Sequence, residues 1–474
     1  MLQAILNIFK IDELRNKVLF TLGMLAVYRI GFWIPVPGIN QTALQETMAL
    51  QSQQQTVAGR ALDYLAIFSG GSLGQSTIFG LGIMPYITAA IIFQLLVSMY
   101  EPLKKLKEEG PTGQQKIQEY TRYATIAMCV IQAIGWLGYI NAQGLIYPNW
   151  SPQPLWWVMA VTSMTAGTVF LMWLGEQIDK YGIGNGASLI ITAGILAQMP
   201  GAIIWVINNS PVGQLPLVHQ MFDINLNATP QVPWLGVIFL IAAFVLVVAG
   251  SVLITVAHRR IPVQQAKHTR GRRVYGGQRS FLPLRVNHGG VMPIIFASSI
   301  LIFPSLAFGP LQAAAQNGQW APWLQNTINV IIQGLGMGEF PYILIYILMI
   351  YFFSYFWTTV QFNPEEMAKQ LRDSGSFIPG LRPGPRTAEY LETVLERITY
   401  VGAGFLSIIA VIPMIVGNQM NIPFNVSSFL GGTGLLIVVA VGLDFIQRIE
   451  ASLLMHNYAG FLGEDEKTRR RQAG

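Results

Sequence analysis

The chain has 474 residues, of which 52% are hydrophobic and only 11% charged. A soluble domain carries about a quarter charged residues, so the composition excludes an ordinary soluble protein and indicates many membrane spans. The net charge is +6, and the single cysteine, Cys129, excludes an intramolecular disulfide.

Residues 1–17 read as a short amphipathic lead-in, with Ile5, Ile8 and Phe9 at helical spacing. The first apolar run is as long as a span and ends in Ile34-Pro35-Val36-Pro37-Gly38, without a small-residue cleavage site, so no cleavable signal is expected. Ten spans are predicted, at about 18–37, 79–98, 121–140, 155–175, 187–207, 234–256, 291–309, 341–361, 397–416 and 432–447. The predicted fold class is therefore an all-α multi-pass membrane protein.

One stretch stands apart. From Ala61 to Met99 the only charge is Asp63, and the run is too long for a single span, which needs about 20 residues. Gly70, Gly71, Gly74, Gly80 and Gly82 break its first part, and Pro85 lies just inside the second. Irregular backbone at membrane depth survives only where protein or a water-filled cavity surrounds it. The pattern predicts a half-helix at about 62–68, a glycine hinge, and a full span from about Phe79 to Val97. A broken helix of this kind lines a functional cavity; a loop helix lying on the outer surface is the plainer alternative.

Of the 29 Lys and Arg, only Arg29 and Arg60 fall on one side of the ten spans, and the loops 141–154, 208–233, 310–340 and 417–431 have neither residue. The positive-inside rule puts the charged side, with both termini, in the cytoplasm. Two five-span halves would meet in the polar loop 208–233, giving an N-terminal half 1–207, a C-terminal half 234–450 and a cytoplasmic tail 451–474. No sequence repeat relates them, a silence with which an inverted structural repeat is compatible.

Two cytoplasmic loops exceed what topology requires. His258 to His288 holds Arg259, Arg260, Lys267, Arg270, Arg272, Arg273, Arg279 and Arg285 and no acid. Gln361 to Arg397 opens on Asn363-Pro364-Glu365-Glu366, a helix start with Asn363 as N-cap, and turns through Pro379-Gly380-Leu381-Arg382-Pro383-Gly384-Pro385. Such loops anchor topology or attract anionic lipid; docking of an acidic partner or of ribosomal RNA phosphate is the sharper reading.

Catalytic motifs are wanting. Gly70-Gly71-Ser72-Leu73-Gly74 fits G-x-S-x-G but lacks the strand that the motif requires. His258, His268, His288 and His456 fall on the cytoplasmic side, across the membrane from Ser72, leaving only His219 outside. No nucleotide or metal motif is present, and no acid is buried at mid-span as an ion-coupled transporter of a small solute, the alternative function, would need. Mid-span polar groups are Thr88, Gln94, Gln132, Ser298 and Ser299, typical of helix–helix contacts. Ile83 and Ile87 lie one turn apart on the span after the hinge, and bulky apolar rings can gate a pore by dewetting.

The chain resembles the SecY family, the pore-forming subunits of the bacterial Sec protein-conducting channel. The resemblance runs from about Asp12 to Tyr458. It is carried by Ile34-Pro35-Val36-Pro37-Gly38, Phe68-Ser69-Gly70-Gly71, Leu81 to Ile87 (LGIMPYI), Gln118 to Tyr123 (QEYTRY), Leu171 to Gln177 (LMWLGEQ), Gly182 to Gly186 (GIGNG), Gly271 to Tyr275 (GRRVY), Leu282 to Asn287 (LPLRVN), Phe296 to Ser299 (FASS), Phe362-Asn363-Pro364, Pro379 to Gly384 (PGLRPG) and Gly431 to Val438 (GGTGLLIV).

That resemblance implies ten helices in two pseudo-symmetric five-helix halves around a central pore, conducting unfolded secretory proteins across the bacterial plasma membrane. It implies a re-entrant plug at about 61–74, with Leu62, Leu65, Ile67, Phe68, Gly70 and Gly71. The implied pore ring is Ile83, Ile87, Ala187, Ile191, Ile295 and Ile437, where Ala187 departs from the bulky residue expected. The lateral gate would bring spans 2 and 3 against 7 and 8, near Gln94, Gln132, Ser298 and Ser299, and release transmembrane segments sideways into lipid. Arg270, Arg272, Arg273 and Arg382 would dock the SecA motor or the ribosome, including its RNA. SecE and SecG are the implied partner subunits. No catalysis, metal or cofactor is implied.

Overall fold

The structure, a computed structural model, describes residues 11–54, 76–150, 153–214, 232–265, 268–270, 273–275, 279–301, 326–327, 330–331, 334, 339–419 and 422–472. The expected plug, with Leu62, Leu65, Ile67, Phe68, Gly70 and Gly71, lies outside the described residues, as does Arg272. The chain divides into two compact units, one comprising residues 1–201 and 437–474 and the other residues 202–436.

The first unit opens with α1 (Asp12–Ile30), whose acids Asp12 and Glu13 sit in the first turn and Arg29 in the last, the arrangement the helix dipole favours. The first span was expected to run to residue 37. The helix stops at Ile30 instead, passing through a short 3-10 turn at Gly31–Trp33, because Pro35 and Pro37 force extended backbone. After α2 (Gln41–Gln54) come α3 (Met84–Met99), α4 (Glu101–Glu108), α5 (Pro111–Ala142), α6 (Pro154–Tyr181) and α7 (Gly186–Asn208). Each of α3 to α6 carries a proline in its first turn, where no backbone N–H is required. The second span was expected from Phe79, but the helix begins at Met84, since Gly82 takes a positive φ of 57°. At the far end of α3 the chain bends by 96° into α4, whose Lys104, Lys105 and Lys107 and exposed surface suit an interfacial rather than a spanning segment.

The core of this unit clusters Val36, Ile39, Leu81, Trp136, Trp156 and Met164. The Trp156 indole donates to Pro37 O at 3.0 Å. Its ring stands 2.5 Å from where a Gly38 Cβ would be, and Gly38 has φ +85°, so only glycine fits there.

The second unit contains α8 (Trp234–Val256), then strands β1 (His258–Gln265), β2 (His268–Arg270), β3 (Arg273–Tyr275) and β4 (Arg279–Arg285). It continues with α9 (Met292–Leu301), α10 (Phe340–Gln361), α11 (Pro364–Asp373), β5 (Ser376–Phe377), α12 (Pro385–Gln419) and α13 (Phe424–Gly431). α14 (Thr433–Gln472) begins in this unit and returns the chain to the first.

The strands were not foreseen. β1 pairs antiparallel with β4, from His258 opposite Arg285 to Gln264 opposite Arg279, and β5 adds to the other edge of β1. Ile261 and Val263 are buried at alternate positions along β1, as is Leu284 on β4. This period of two is the signal that could have revealed the hairpin. Its apolar face packs on Ile378, Leu391, Val394, Leu395 and Ile398, so the basic hairpin is fixed to the start of α12.

Among the described residues, seven helices are long and apolar enough to cross a membrane, or eight when the bent pair α3–α4 counts as one span. α8 matches the predicted span at 234–256, and α7 and α10 match within a residue at each end. α5, α6, α12 and α14 run past the apolar windows as polar extensions. α1 has the length of a span but is charged at both ends, and the remainder of the span predicted at 291–309 lies outside the described residues.

Candidate functional site

Residues 76–83 lead into α3 as a buried linker held on three sides. Val36 N donates to Ser76 O and Ile78 N to Ile34 O, both at 2.9 Å. The Trp136 indole donates to Ser76 Oγ at 3.1 Å, steadying a serine with φ +44° in a region L-residues avoid. Gly167 of α6 lets Ile78 O approach to 2.2 Å from the position of a Cβ. The Phe79 ring stacks on Phe170, meets Phe32 edge-on, and occupies the space a Gly31 side chain would need. The linker delivers Ile83 as the N-cap of α3, and Ile87 N donates back to Ile83 O at 3.1 Å. Ile83 is 1% exposed and Ile87 7%, so two bulky apolar residues are presented one turn apart on an anchored helix start.

Ala187 and Ile191 lie on the first two turns of α7, Ala187 half-buried and Ile191 buried. Ile437 is buried near the start of α14. These five residues belong to the first unit; Ile295, buried on α9, belongs to the second.

Gln94 on α3 and Gln132 on α5 are half-buried on two helices that pack together. Ser298 and Ser299 are buried on α9 in the second unit. Their hydroxyls are satisfied within that helix: Ser298 Oγ donates to Ile294 O and Ser299 Oγ to Ile295 O, both at 2.7 Å.

Of the basic residues, Arg270 and Arg273 pair across the tip of the β2–β3 hairpin. Arg382 is exposed in a loop whose backbone is pinned. Leu381 N donates to Ile378 O at 3.0 Å, Thr387 Oγ1 donates to Arg382 O at 3.0 Å, and Gly380 and Gly384 take φ +88° and +128°. Asn363 caps α11 as its sequence predicts, accepting from Glu365 N at 3.2 Å.

His288 links the hairpin to α9. It is half-buried, edge-on to Phe362 with centroids 4.6 Å apart, and its Nδ1 has no hydrogen-bond partner among the described residues. Burial, with Arg285 and His258 nearby, lowers its pKa to about 4. The ends of α5, α6 and α14 carry an ionic network, of which only the Asp444–Arg448 pair, four residues apart on one helix, follows from sequence spacing. There Arg122 forks onto Glu176 through two bonds of 2.7 and 2.8 Å, Asp179 Oδ1 accepts from Gly186 N at 2.7 Å, and Arg448 pairs with Asp444 at 2.8 Å. Among the described residues no three His, Cys, Asp or Glu converge as a metal site would require.

The SecY family model matches residues 77–446. The protein translocase subunit SecY of Streptomyces galbus is 41% identical over 98% of this chain and its own full length. That of Thermus thermophilus is 40% identical over 98% of both chains. The chain belongs to the SecY family. Solved structures share the fold. One described as "The structure of a protein conducting channel" superposes with a TM-score of 0.57 at 19% identity over 92% of both chains. Sec61 in a canine ribosome–channel complex gives 0.52 at 18% identity, again over 92% of both. The chain is thus a multi-pass membrane protein and a protein-conducting channel subunit, whose work is conduction and not covalent chemistry.

Proposed function

We propose that this subunit conducts unfolded secretory proteins across the bacterial plasma membrane and releases transmembrane segments sideways into lipid, with both termini in the cytoplasm. In this reading Ile83, Ile87, Ala187, Ile191, Ile295 and Ile437 form the constriction, and residues 61–74 plug it. The gate lies between α3 and α5 on one side and α9 and α10 on the other, near Gln94, Gln132, Ser298 and Ser299. The two halves are 1–207 and 234–450, hinged at 208–233. SecE and SecG are its partner subunits. The SecA motor or the ribosome docks on the basic hairpin and the Arg382 loop, through Arg270, Arg272, Arg273 and Arg382.

The observation that carries the reading is the placement of Ile83, Ile87 and Ile191. They are buried apolar residues on the opening turns of two uncharged helices, both tied into the first unit at that point. A seal of this kind excludes ions by dewetting and yields to a chain pushed through it. The test is a photocrosslinker at Ile191, with a secretory protein arrested midway in the presence of SecA and ATP. A signal-dependent crosslink is expected there, and none from Ile238, an exposed residue of α8. Absence of the Ile191 crosslink in a complete complex would overturn the pore.

A further inference from the structure

The loop between α6 and α7 is bonded at nearly every step. Gly182 N donates to Ile178 O at 2.8 Å, and Ile183 N donates to Thr21 Oγ1 of α1 at 3.1 Å. Gly184 turns at φ +103°. Asn185 Oδ1 accepts from Ser188 N at 3.0 Å, and Asp179 Oδ1 accepts from Gly186 N at 2.7 Å. The first amides of a helix have no partner within it and fray unless something outside accepts from them. Of these bonds, the one from Gly186 is made to a charged acceptor, which is the shorter and stronger kind and is favoured by the positive end of the helix. Gly186 also lies close against α6: a Cβ there would stand 2.0 Å from Gly175 O.

The residue after Gly186 is Ala187, and Ile191 follows one turn later on the same face. Asp179 therefore fixes the turn that carries two members of the constriction, although it is not itself one of them. The same carboxylate feels the charge of Arg448 on α14, the helix that carries Ile437, and of Glu176, which is held by Arg122 of α5. Every group in this argument belongs to the first unit.

We propose that Asp179 is a positioning residue for the constriction: by holding the Gly186 amide it sets where α7 places Ala187 and Ile191, and so how strictly the closed channel refuses a chain with a poor signal. The inference rests on the ring reading above. Because Ala187 is small, the seal on this side depends on the position of the backbone more than on side-chain bulk.

The experiment uses the full chain in its complex with its partner subunits, reconstituted with SecA. Export of one preprotein is compared with that of the same preprotein carrying a charge in its signal core, and potassium leak is read from the same vesicles. Asp179→Ala is expected to raise the ratio of defective to intact export about tenfold and to raise the leak, with intact export little changed. Asp179→Asn keeps an acceptor oxygen but loses the charge, and is expected to relax export less than Asp179→Ala does. Ile191→Asn serves as the ring control. Relaxation in Ile191→Asn but not in Asp179→Ala overturns the positioning role while leaving the ring intact; a silent Ile191→Asn overturns the ring itself. Equal relaxation in the Asn variant overturns the hydrogen-bond argument in favour of charge alone. If Asp179→Ala does not accumulate, Asp179→Glu, one methylene too long for the same bond, is read against the same outcomes.

Discussion

Gly167→Ala should strike the linker that delivers Ile83. The new Cβ would stand 2.2 Å from Ile78 O, 2.7 Å from Ile78 Cγ2 and 2.8 Å from the Ile78 carbonyl carbon. Ordinary contact begins near 3.4 Å, so linker and helix must part by about 1 Å, in a core where interiors are close-packed. The linker cannot simply give way. Ile78 N is bonded to Ile34 O, Gly80 N to Thr77 O, and Ser76 to both Val36 and Trp136. Overpacking costs about 1–3 kcal/mol, and a broken Ile78–Ile34 bond would add about 1 kcal/mol. Thermal unfolding of the purified complex is the assay, with Gly135→Ala as the control, since nothing lies within 4 Å of a Cβ there. The Gly167 variant should lose about 2–4 kcal/mol of stability and the Gly135 variant essentially none. Equal stabilities would refute the claim that Ile78 is clamped against α6.

Two further outcomes are expected. The low pKa of His288, about 4 against an ordinary 6.5, means that the unfolded chain binds the proton more readily between those values. Stability therefore rises with pH across that window: it is complete above about 6.5 and falls as pH drops toward 4. His288→Phe, which cannot take up the proton, should flatten the slope in a pH series of melting curves, and an unchanged slope would remove His288 from the account. Arg382→Glu should abolish SecA-driven export in vesicles while the complex still assembles, because the loop backbone is held by Leu381 and Thr387 and not by the guanidinium; normal ATP-driven export would count against docking there.

Helix content and the spans at 187–207, 234–256 and 341–361 were legible because apolar runs bounded by proline or by polar loops leave little choice of structure. The helix starts at Pro85 and Pro364 were legible for the same local reason. What escaped was decided by tertiary contact. The delayed start of α3 depends on a left-handed Gly82 and on Phe79 wedged between Phe32 and Phe170, which are partners distant in sequence. The basic hairpin reads as loop by composition, since arginine dominates it, yet Ile261 and Leu284 find a core supplied largely by α12. Glu176 and Asp179 stand in the sequence simply as two acids just past the apolar run at 155–175. Nothing local foretells that one forks onto Arg122, 54 residues away, while the other caps the next helix.

The hydroxyls of this chain show how a channel can hold shut and still part. Thr88, Thr125, Thr168, Ser298, Ser299 and Ser407 are buried, and each donates to a carbonyl of its own helix three or four residues back. Such bonds add little to cohesion between helices, but they travel with the helix when it moves. Had these groups bonded across to neighbours, separating the helices would strand donors in an apolar medium, at several kcal/mol each. Apart from Thr168, which also bonds the Cys129 thiol of α5, what the neighbours of these groups lose on separation is mainly dispersion contact, which lipid or an apolar signal segment can replace. In the proposed gate, Ser298 and Ser299 thus oppose opening weakly. Directional bonds between elements occur beside the proposed constriction, in the Ser76–Ile78 clamp and the Asp179–Gly186 cap, and also away from it, as between Thr358 of α10 and Thr399 of α12.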